Sequence, residues 1–269
     1  MTASIVNRMA ALHIERSHLK IWRRFTRLYA ARSRSEKSAF ASIGGGYALI
    51  TNSGSRFVPK IDNHLCNTIT TRDLEDLEER CRGRSASISI ELCSASLPGL
   101  SLLLQAWRYD LISATDVMVH FPPLGQAYDS LNTFRVRCAA PFELHAWART
   151  LAQGFEPPNV ELSTAFLVSC GKSPSSVPLL AVDALGNYAG GGLLVYYRNT
   201  AWLLGFSTLP RVRRRGVQKA VLKAALNYAN AANVHIAAAE AASETASHRN
   251  FTRCGFFVLH QRLEFFKCL

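Results

Sequence analysis

Apolar residues in the second half of the chain follow two rhythms. Val217, Ala220, Val221, Ala224, Ala225 and Tyr228 recur at three- and four-residue intervals, which predicts a helix over 217–231 with one buried face. Ahead of it, residues 201–208 have strand composition, and Pro210 stops pairing there because it has no N–H to donate. Residues 179–197 read as a strand, a turn at Leu185-Gly186-Asn187 and a second strand, so 201–208 completes a three-stranded meander. Beyond the helix, 235–240 is a short apolar strand and 247–256 a helix whose Gly255 suits a left-handed C-cap. A closing pair of strands follows over 256–266.

The first half alternates in the same way. Residues 38–51 read as strand, glycine-rich break and strand, with Gly44-Gly45-Gly46 taken as a bulge because no basic residue or helix start follows it closely. A helix with an acidic start at 71–80, a strand at 87–93, a helix at 98–109 and a strand at 115–120 come next. The turn-rich segment 121–130 marks a boundary, giving domains at 1–130 and 131–269, the second opening with a strand at 134–137 and a helix at about 141–153. Near the start, Ile14, His18, Ile21, Trp22, Phe25, Leu28 and Tyr29 lie at helical spacing.

The junction at Gly216 carries the chemistry. A strand runs into Arg211-Val-Arg-Arg-Arg-Gly216 and hands over to a helix N-terminus. Free backbone N–H groups and the positive end of the helix dipole meet at such a point, and both favour an anionic phosphate.

This stretch resembles the acyl-CoA-dependent acetyltransferases of the GNAT superfamily, whose pyrophosphate loop is Arg/Gln-x-x-Gly-x-Gly/Ala between a strand and a helix. Arg213, Gly216 and Gln218 fall on its three defined positions, Gln218 replacing the usual Gly or Ala. The meander before the loop, and the strand and Asn250-containing helix ending in Gly255-Phe256 after it, follow in the family's order. The fold class implied is α/β (α+β), a mixed, mostly antiparallel sheet flanked by helices. The echo of that order in the first half implies two tandem lobes. The first is a degenerate one, since Asn67-Thr-Ile-Thr-Thr-Arg-Asp-Leu74 places an aspartate where phosphate would bind.

The resemblance implies transfer of an acetyl group from acetyl-CoA, as cosubstrate, to a small-molecule or peptide amine by direct attack. It puts Phe206, Ser207 and Thr208 on the strand that pairs with pantetheine, with the Phe206 N–H near the thioester oxygen as a preorganised donor. Arg213, Arg214, Arg215, Gly216, Val217 and Gln218 become the phosphate cradle, and Asn250 approaches the pantetheine arm. Many members carry a Tyr four residues before the helix-ending Gly, and here that position is Phe251, which has no proton to give. Glu240 leads as general base, with Tyr196 and then Tyr197 and His248 behind it. Each has an ordinary structural alternative, as a solvated strand end, sheet residues or a helix start. A catalytically silent acyl-CoA-binding protein is therefore a standing alternative.

Composition narrows the rest. With 269 residues, 48 % of them hydrophobic, the chain buries either one large core or two modest ones. No apolar run is long enough to span a bilayer. Seven scattered cysteines show no CxxC pair and no zinc spacing, so no metal is expected and the cytoplasm is the expected compartment. The net charge of +12 is uneven, since residues 1–37 hold nine Lys or Arg against two Glu. The basic, amphipathic segment there reads first as a docked surface helix. A nucleic-acid or lipid contact and a targeting presequence are its alternatives. Nucleic acid is not the expected partner, because the basic residues are interleaved with core-type aromatics and no recognised motif is present.

Overall fold

The structure, a computed structural model, describes residues 3–32, 39–44, 46–51, 54–61, 67–83, 87–94, 98–122, 127–128 and 133–269. It divides into two compact units, Met1–Val117 with Val258–Leu269, and Met118–Phe257. The division thus falls ahead of the turn-rich segment at 121–130 that marks it in the sequence, and the last strand belongs to the first unit.

In the first unit, helix α1 (Ala3–Arg32) precedes strands β1 (Ala39–Ile43), β2 (Gly46–Thr51), β3 (Gly54–Ile61) and β4 (Asn67–Thr68). Helix α2 (Thr71–Cys81), β5 (Ser87–Cys93), α3 (Pro98–Ala106) and β6 (Asp110–His120) follow, the last running across the division of the chain. β1, β2 and β3 form an antiparallel meander, β3 runs parallel to β5, and the C-terminal strand pairs antiparallel with β5. Ile43 pairs with Gly46, so the glycine run is a tight hairpin turn and not the expected bulge; Gly44 takes φ +43° there, while Gly45 lies outside the described residues. The face of α1 carrying Ile14, Ile21, Phe25 and Tyr29 is buried, and the Tyr47 hydroxyl donates to the Leu19 carbonyl at 2.5 Å.

A charged cluster is sealed in this unit. The Glu15 carboxylate accepts from Arg262 at 2.7 Å and meets His260 Nε2 at 2.5 Å, and all three side chains are almost fully buried. Burial works against the Glu15 charge, yet Arg262 and His260 outweigh it and hold that carboxyl well below its usual range. Burial likewise opposes a charged His260, but neighbouring Cys93 and Glu15 raise it to about 9.

The second unit continues with β7 (Arg135–Cys138), a 3-10 turn at Pro141–Glu143, α4 (Leu144–Phe155), α5 (Val160–Gly171), β8 (Ser176–Val182), β9 (Tyr188–Tyr197) and β10 (Thr200–Thr208). It ends with α6 (Val217–Ala231), β11 (Ile236–Ala242) and α7 (Ala246–Arg253), after which β12 (Phe257–Cys268) returns to the first unit. β12 is one continuous strand, where the sequence reads as a strand pair. α5 has no counterpart among the elements predicted from the sequence: its buried residues, Thr164, Ser169 and Cys170, are small and give the apolar rhythm nothing to show.

Strand order in the second unit is β11-β10-β9-β8-β7, antiparallel except for the parallel β10–β11 pair. Its core gathers Leu179, Leu194, Leu203, Val221, Leu226 and Phe251, the sheet positions alternating toward α6. Asp183 closes the β8–β9 turn by accepting from the Leu185 and Asn187 N–H groups.

Candidate acyl-CoA site

Three local features of the second unit build an opening beside β10. The parallel ladder pairs Thr200 to Leu203 with Ile236 to Ala239. β10 then runs on to Thr208 and β11 to Ala242 without further pairs to each other among the described residues. On its other side, β10 shifts register between Leu204 and Ser207, so that Gly205 and Phe206 face Gly192 alone. Gly205 has φ +63°, the left-handed first residue of a glycine bulge. A Cβ on Gly192 would lie 2.8 Å from the Phe206 ring, so this glycine makes room for the bulged side chain.

The strand leads through Pro210–Val212 to α6, whose N-cap Gly216 sits at φ +88° with no side-chain cap. A Cβ there would meet nothing within 4 Å, so the space above the first turn of α6 is open. The N–H groups of that turn, which no residue four back in the helix satisfies, face it.

A cavity of about 540 Å³ occupies this space, with Phe206, Ser207 and Thr208 on one side, Arg213, Arg214, Gly216, Val217, Gln218 and Lys219 along its floor, and Ser247, Asn250 and Arg253 of α7 opposite. Four cationic side chains line it without a carboxylate. A larger cavity of about 780 Å³ lies among β7, the β8–β9 turn and α6, but its lining includes no helix start.

Most of the residues expected at the cofactor site meet at this cavity. Arg215 is the exception, standing 5.9 Å over the Phe134 ring and absent from the lining. Arg213 is shared, because its guanidinium donates to the Gly154 carbonyl at 2.9 Å and to Glu156 at 2.6 Å, fastening the loop to the end of α4. Ser207 donates to the Leu151 carbonyl at 2.8 Å, and a Cβ on Gly154 would strike its hydroxyl, so β10 and α4 approach closely. Gln218 bridges two helices: it donates to Ser247 Oγ at 2.8 Å and accepts from Asn250 at 2.7 Å. Lys219, Ser247, Arg253 and Gly154 join the lining without having been read from the sequence. Arg253 had a signal, since it lies one helical turn beyond Asn250.

The acid–base candidates are spread apart. Glu240 is the first β11 residue past the last β10 pair, and alternation turns it away from the face on which Ala239 and Ala241 join the core under α6. It is absent from the cavity lining. Tyr196 pairs with Ala201 at the far end of β10, five residues along β9 from the Gly191–Ser207 pair, which is about 17 Å. Its hydroxyl donates to the Tyr228 carbonyl at 3.0 Å, and burial raises its pKa to about 12. That is a structural anchor at the C-terminal end of α6.

Phe251 is held by the end of its own helix. Gly255, at φ +87°, lets the Phe256 N–H reach the Phe251 carbonyl at 3.1 Å and the Gly255 N–H reach Thr252 at 3.0 Å. Those two bonds make a Schellman motif, and the rings of Phe251 and Phe256 supply its hydrophobic contact at 5.1 Å. Phe206 packs edge-on against the same Phe251 ring at 6.1 Å. His120 backs this cap: its Nδ1 hydrogen-bonds the Gly255 carbonyl at 3.1 Å and its Nε2 meets the Tyr128 hydroxyl at 2.6 Å. Burial lowers the His120 pKa, which favours the neutral ring with Nδ1 donating.

Residues 143–256 match the family model described as the Acetyltransferase (GNAT) family. No curated protein sequence gives a significant match. Among solved structures, a GCN5-related N-acetyltransferase from Sphaerobacter thermophilus is similar over 83% of this chain and 76% of its own, with a TM-score of 0.63 at 19% identity. One from Kribbella flavida is similar over 96% of this chain and 95% of its own, with a TM-score of 0.65 at 14% identity. A tandem GNAT protein from the clavulanic acid biosynthesis pathway is similar over 86% and 83%, with a TM-score of 0.61 at 13% identity. Residues 143–256 thus carry a match to the GNAT acetyltransferase family, on a chain whose fold is similar to that of GCN5-related N-acetyltransferases and of a tandem GNAT protein.

Proposed function

We propose that the second unit binds acetyl-CoA and transfers its acetyl group to an amine. The observation that carries this reading is the end of the β10–β11 ladder at Leu203–Ala239, which opens beside a cationic cavity floored by the uncapped start of α6. Phosphates would lie against the first-turn N–H groups, with Arg214, Lys219 and Arg253 neutralising their charge. The unpaired edge of β10 from Phe206 to Thr208 offers backbone groups to the amide-bearing pantetheine arm, and the bulge fixes the direction of the Phe206 N–H. In this reading that N–H stabilises the charge developing on the thioester oxygen.

The acceptor amine approaches from the other face of the sheet, where Glu240 stands at the fork of the two strands. There Glu240 takes the proton that the nitrogen must lose, directly or through water, while the C–S bond breaks and the thiolate departs. No side-chain acid is required for that departure, because a thiol of pKa near ~8.5 leaves as the thiolate and is protonated by water. Among the described residues the cysteines form no disulfide, which fits a reducing cytoplasm as the place of action.

Isothermal titration with acetyl-CoA, followed by turnover assays over a panel of amines, tests the proposal. Binding is expected in the micromolar range, and Glu240→Gln is expected to lower kcat by about 10²-fold or more while leaving acetyl-CoA affinity unchanged. Absence of binding would overturn the proposal. A second reading, a silent acyl-CoA-binding protein, is favoured by the locked phenyl ring of Phe251. Tight binding without turnover of any amine would select it.

A further inference from the structure

The sequence predicts no metal site, because its cysteines and histidines show none of the short spacings at which zinc ligands recur. The fold makes a cluster that spacing cannot reveal. Glu15 of α1, Cys93 at the end of β5 and His260 of β12 each bring a possible ligand atom within 4.8 Å of the other two. All three belong to the first unit. They are sealed from water, the side chains of Glu15 and His260 being 3% and 5% exposed and Cys93 2%. His260 Nε2 faces Glu15 Oε1 at 2.5 Å, and Cys93 stands beside the same ring. His260 Nδ1 is buried and has no hydrogen-bond partner, so the ring keeps a nitrogen that no protein group uses.

We propose that Glu15, Cys93 and His260 form a structural zinc site that fastens α1 to β5 and β12. The donors are a carboxylate oxygen, a sulfur and an imidazole nitrogen, the three kinds that zinc takes from proteins. Sulfur and nitrogen exclude calcium and magnesium, which take oxygen. A tetrahedral ion with bonds of about 2.0–2.3 Å holds its ligand atoms about 3.3–3.6 Å apart. Atoms already within 4.8 Å of one another need only side-chain rotation to close onto it. Arg262, which donates to Glu15 at 2.7 Å, does not oppose the ion. Two protons leave as the ion enters, one from the His260 imidazolium and one from the Cys93 thiol, so the net charge sealed beside Arg262 is unchanged. Arg262 then orients the Glu15 carboxylate from behind. His18, whose Nε2 meets Arg262 Nη1 at 3.2 Å, stands beside the cluster as a further donor for the fourth position. Ligands so far apart in the chain close long loops, where a metal clip gains most. Because the cluster is sealed, the ion enters as the unit folds.

Refolding of the full chain from urea under reducing conditions, with Zn²⁺, with Co²⁺ or with EDTA, followed by desalting, tests this. One equivalent of zinc per chain is expected by elemental analysis, and the cobalt form is expected to show the ultraviolet charge-transfer band of a cobalt-bound thiolate. Cys93→Ser and His260→Gln are expected to lose the bound metal, and Cys93→Ser the band with it. Cys138→Ser, which removes an exposed thiol outside the cluster, is expected to keep both. The zinc-refolded wild type is expected to melt at a higher temperature than the chain refolded in EDTA, where the His260 imidazolium stays on Glu15, and Cys93→Ser is expected to show no such difference. Wild type that refolds without retaining zinc or cobalt would overturn the proposal, as would a charge-transfer band that survives Cys93→Ser. If neither variant refolds, the zinc content and cobalt band of the wild type and of Cys138→Ser decide it.

Discussion

The first helix after the opening strands of one unit, α2, and the helix after the meander of the other, α6, begin in opposite ways. At α2, Thr70 Oγ1 accepts from the Asp73 N–H at 3.2 Å, and the Asp73 carboxylate accepts from the Thr70 N–H at 2.9 Å and its hydroxyl at 2.8 Å. This capping box spends the free end of the helix on its own side chains and leaves a carboxylate over it. Asp73 also fills the space at the β1–β2 turn, where a Cβ on Gly44 would land on its Oδ1. At α6 the cap is Gly216, no side chain reaches back, and the space above the turn is open. The two helix starts therefore differ: one is closed by its own side chains, and the other is open where the proposed acyl-CoA site lies.

The largest test of that contrast places a carboxylate at the open end. Gly216→Glu imposes a side chain where φ is +88° and sets a negative charge against the phosphates. Acetyl-CoA affinity is expected to fall by more than about 100-fold in calorimetric titration, with the circular dichroism spectrum retained. Binding within about tenfold of wild type would show that α6 does not hold the phosphates.

The next effect belongs to the first unit and reads out as stability. His260 has its pKa raised from 6.5 to about 9, so its charged contact with Glu15 and Cys93 adds stability that is complete below about pH 6.5 and is lost as pH rises through 9. The groups facing it are Glu15 and His18 of α1, Cys93 of β5 and Arg262 of β12. Urea unfolding of His260→Gln at pH 6.5 is expected to show a loss of at most about 3 kcal/mol, shrinking toward zero by pH 10. A difference between the two proteins that stays constant across this range would mean that the ring packs there uncharged.

These contrasts were unequally legible in the chain. The loop at 213–218 and the helix behind it were readable because the apolar rhythm, Pro210 and Gly216 all act within one turn of each other. The deficit at α2 was readable for the same reason, through Asp73. The end of the β10–β11 ladder was not, since it depends on which strands pair, and nothing local separates Leu203 from Leu204. The Gly192–Phe206 fit was hidden too, because it joins residues fourteen apart whose meeting depends on strand register. The return of β12 to the first unit, and the cluster of Glu15, Cys93 and His260 that comes with it, are set wholly by topology. Tyr196 was drawn to the site by its residue type, whereas strand length places it at the other end of β10.

A smaller effect tests the closed helix start. Thr70→Ala removes the capping hydroxyl, and a loss of about 1 kcal/mol in unfolding free energy is expected. Acetyl-CoA affinity should be unchanged within error. A parallel fall in affinity would show that α2 takes part in holding the ligand, and the division of labour between the two helix starts would be wrong.

The smallest expected effect sharpens the comparison at the open start itself. Gln218 stands where the family pattern has Gly or Ala, and its amide ties α6 to Ser247 and Asn250 of α7 across the cavity. A ligand that takes the Asn250 N–H now given to Gln218 must break that bond, so part of its binding energy is offset by a hydrogen bond already made. Gln218→Ala removes the tie and keeps the backbone N–H, and acetyl-CoA affinity is expected to rise by about threefold, the equivalent of somewhat under 1 kcal/mol. A fall in affinity instead would make the Gln218 side chain a ligand contact. The open helix start would then be finished by a side chain from its own first turn, much as Asp73 finishes α2, but to hold the ligand and not to replace it.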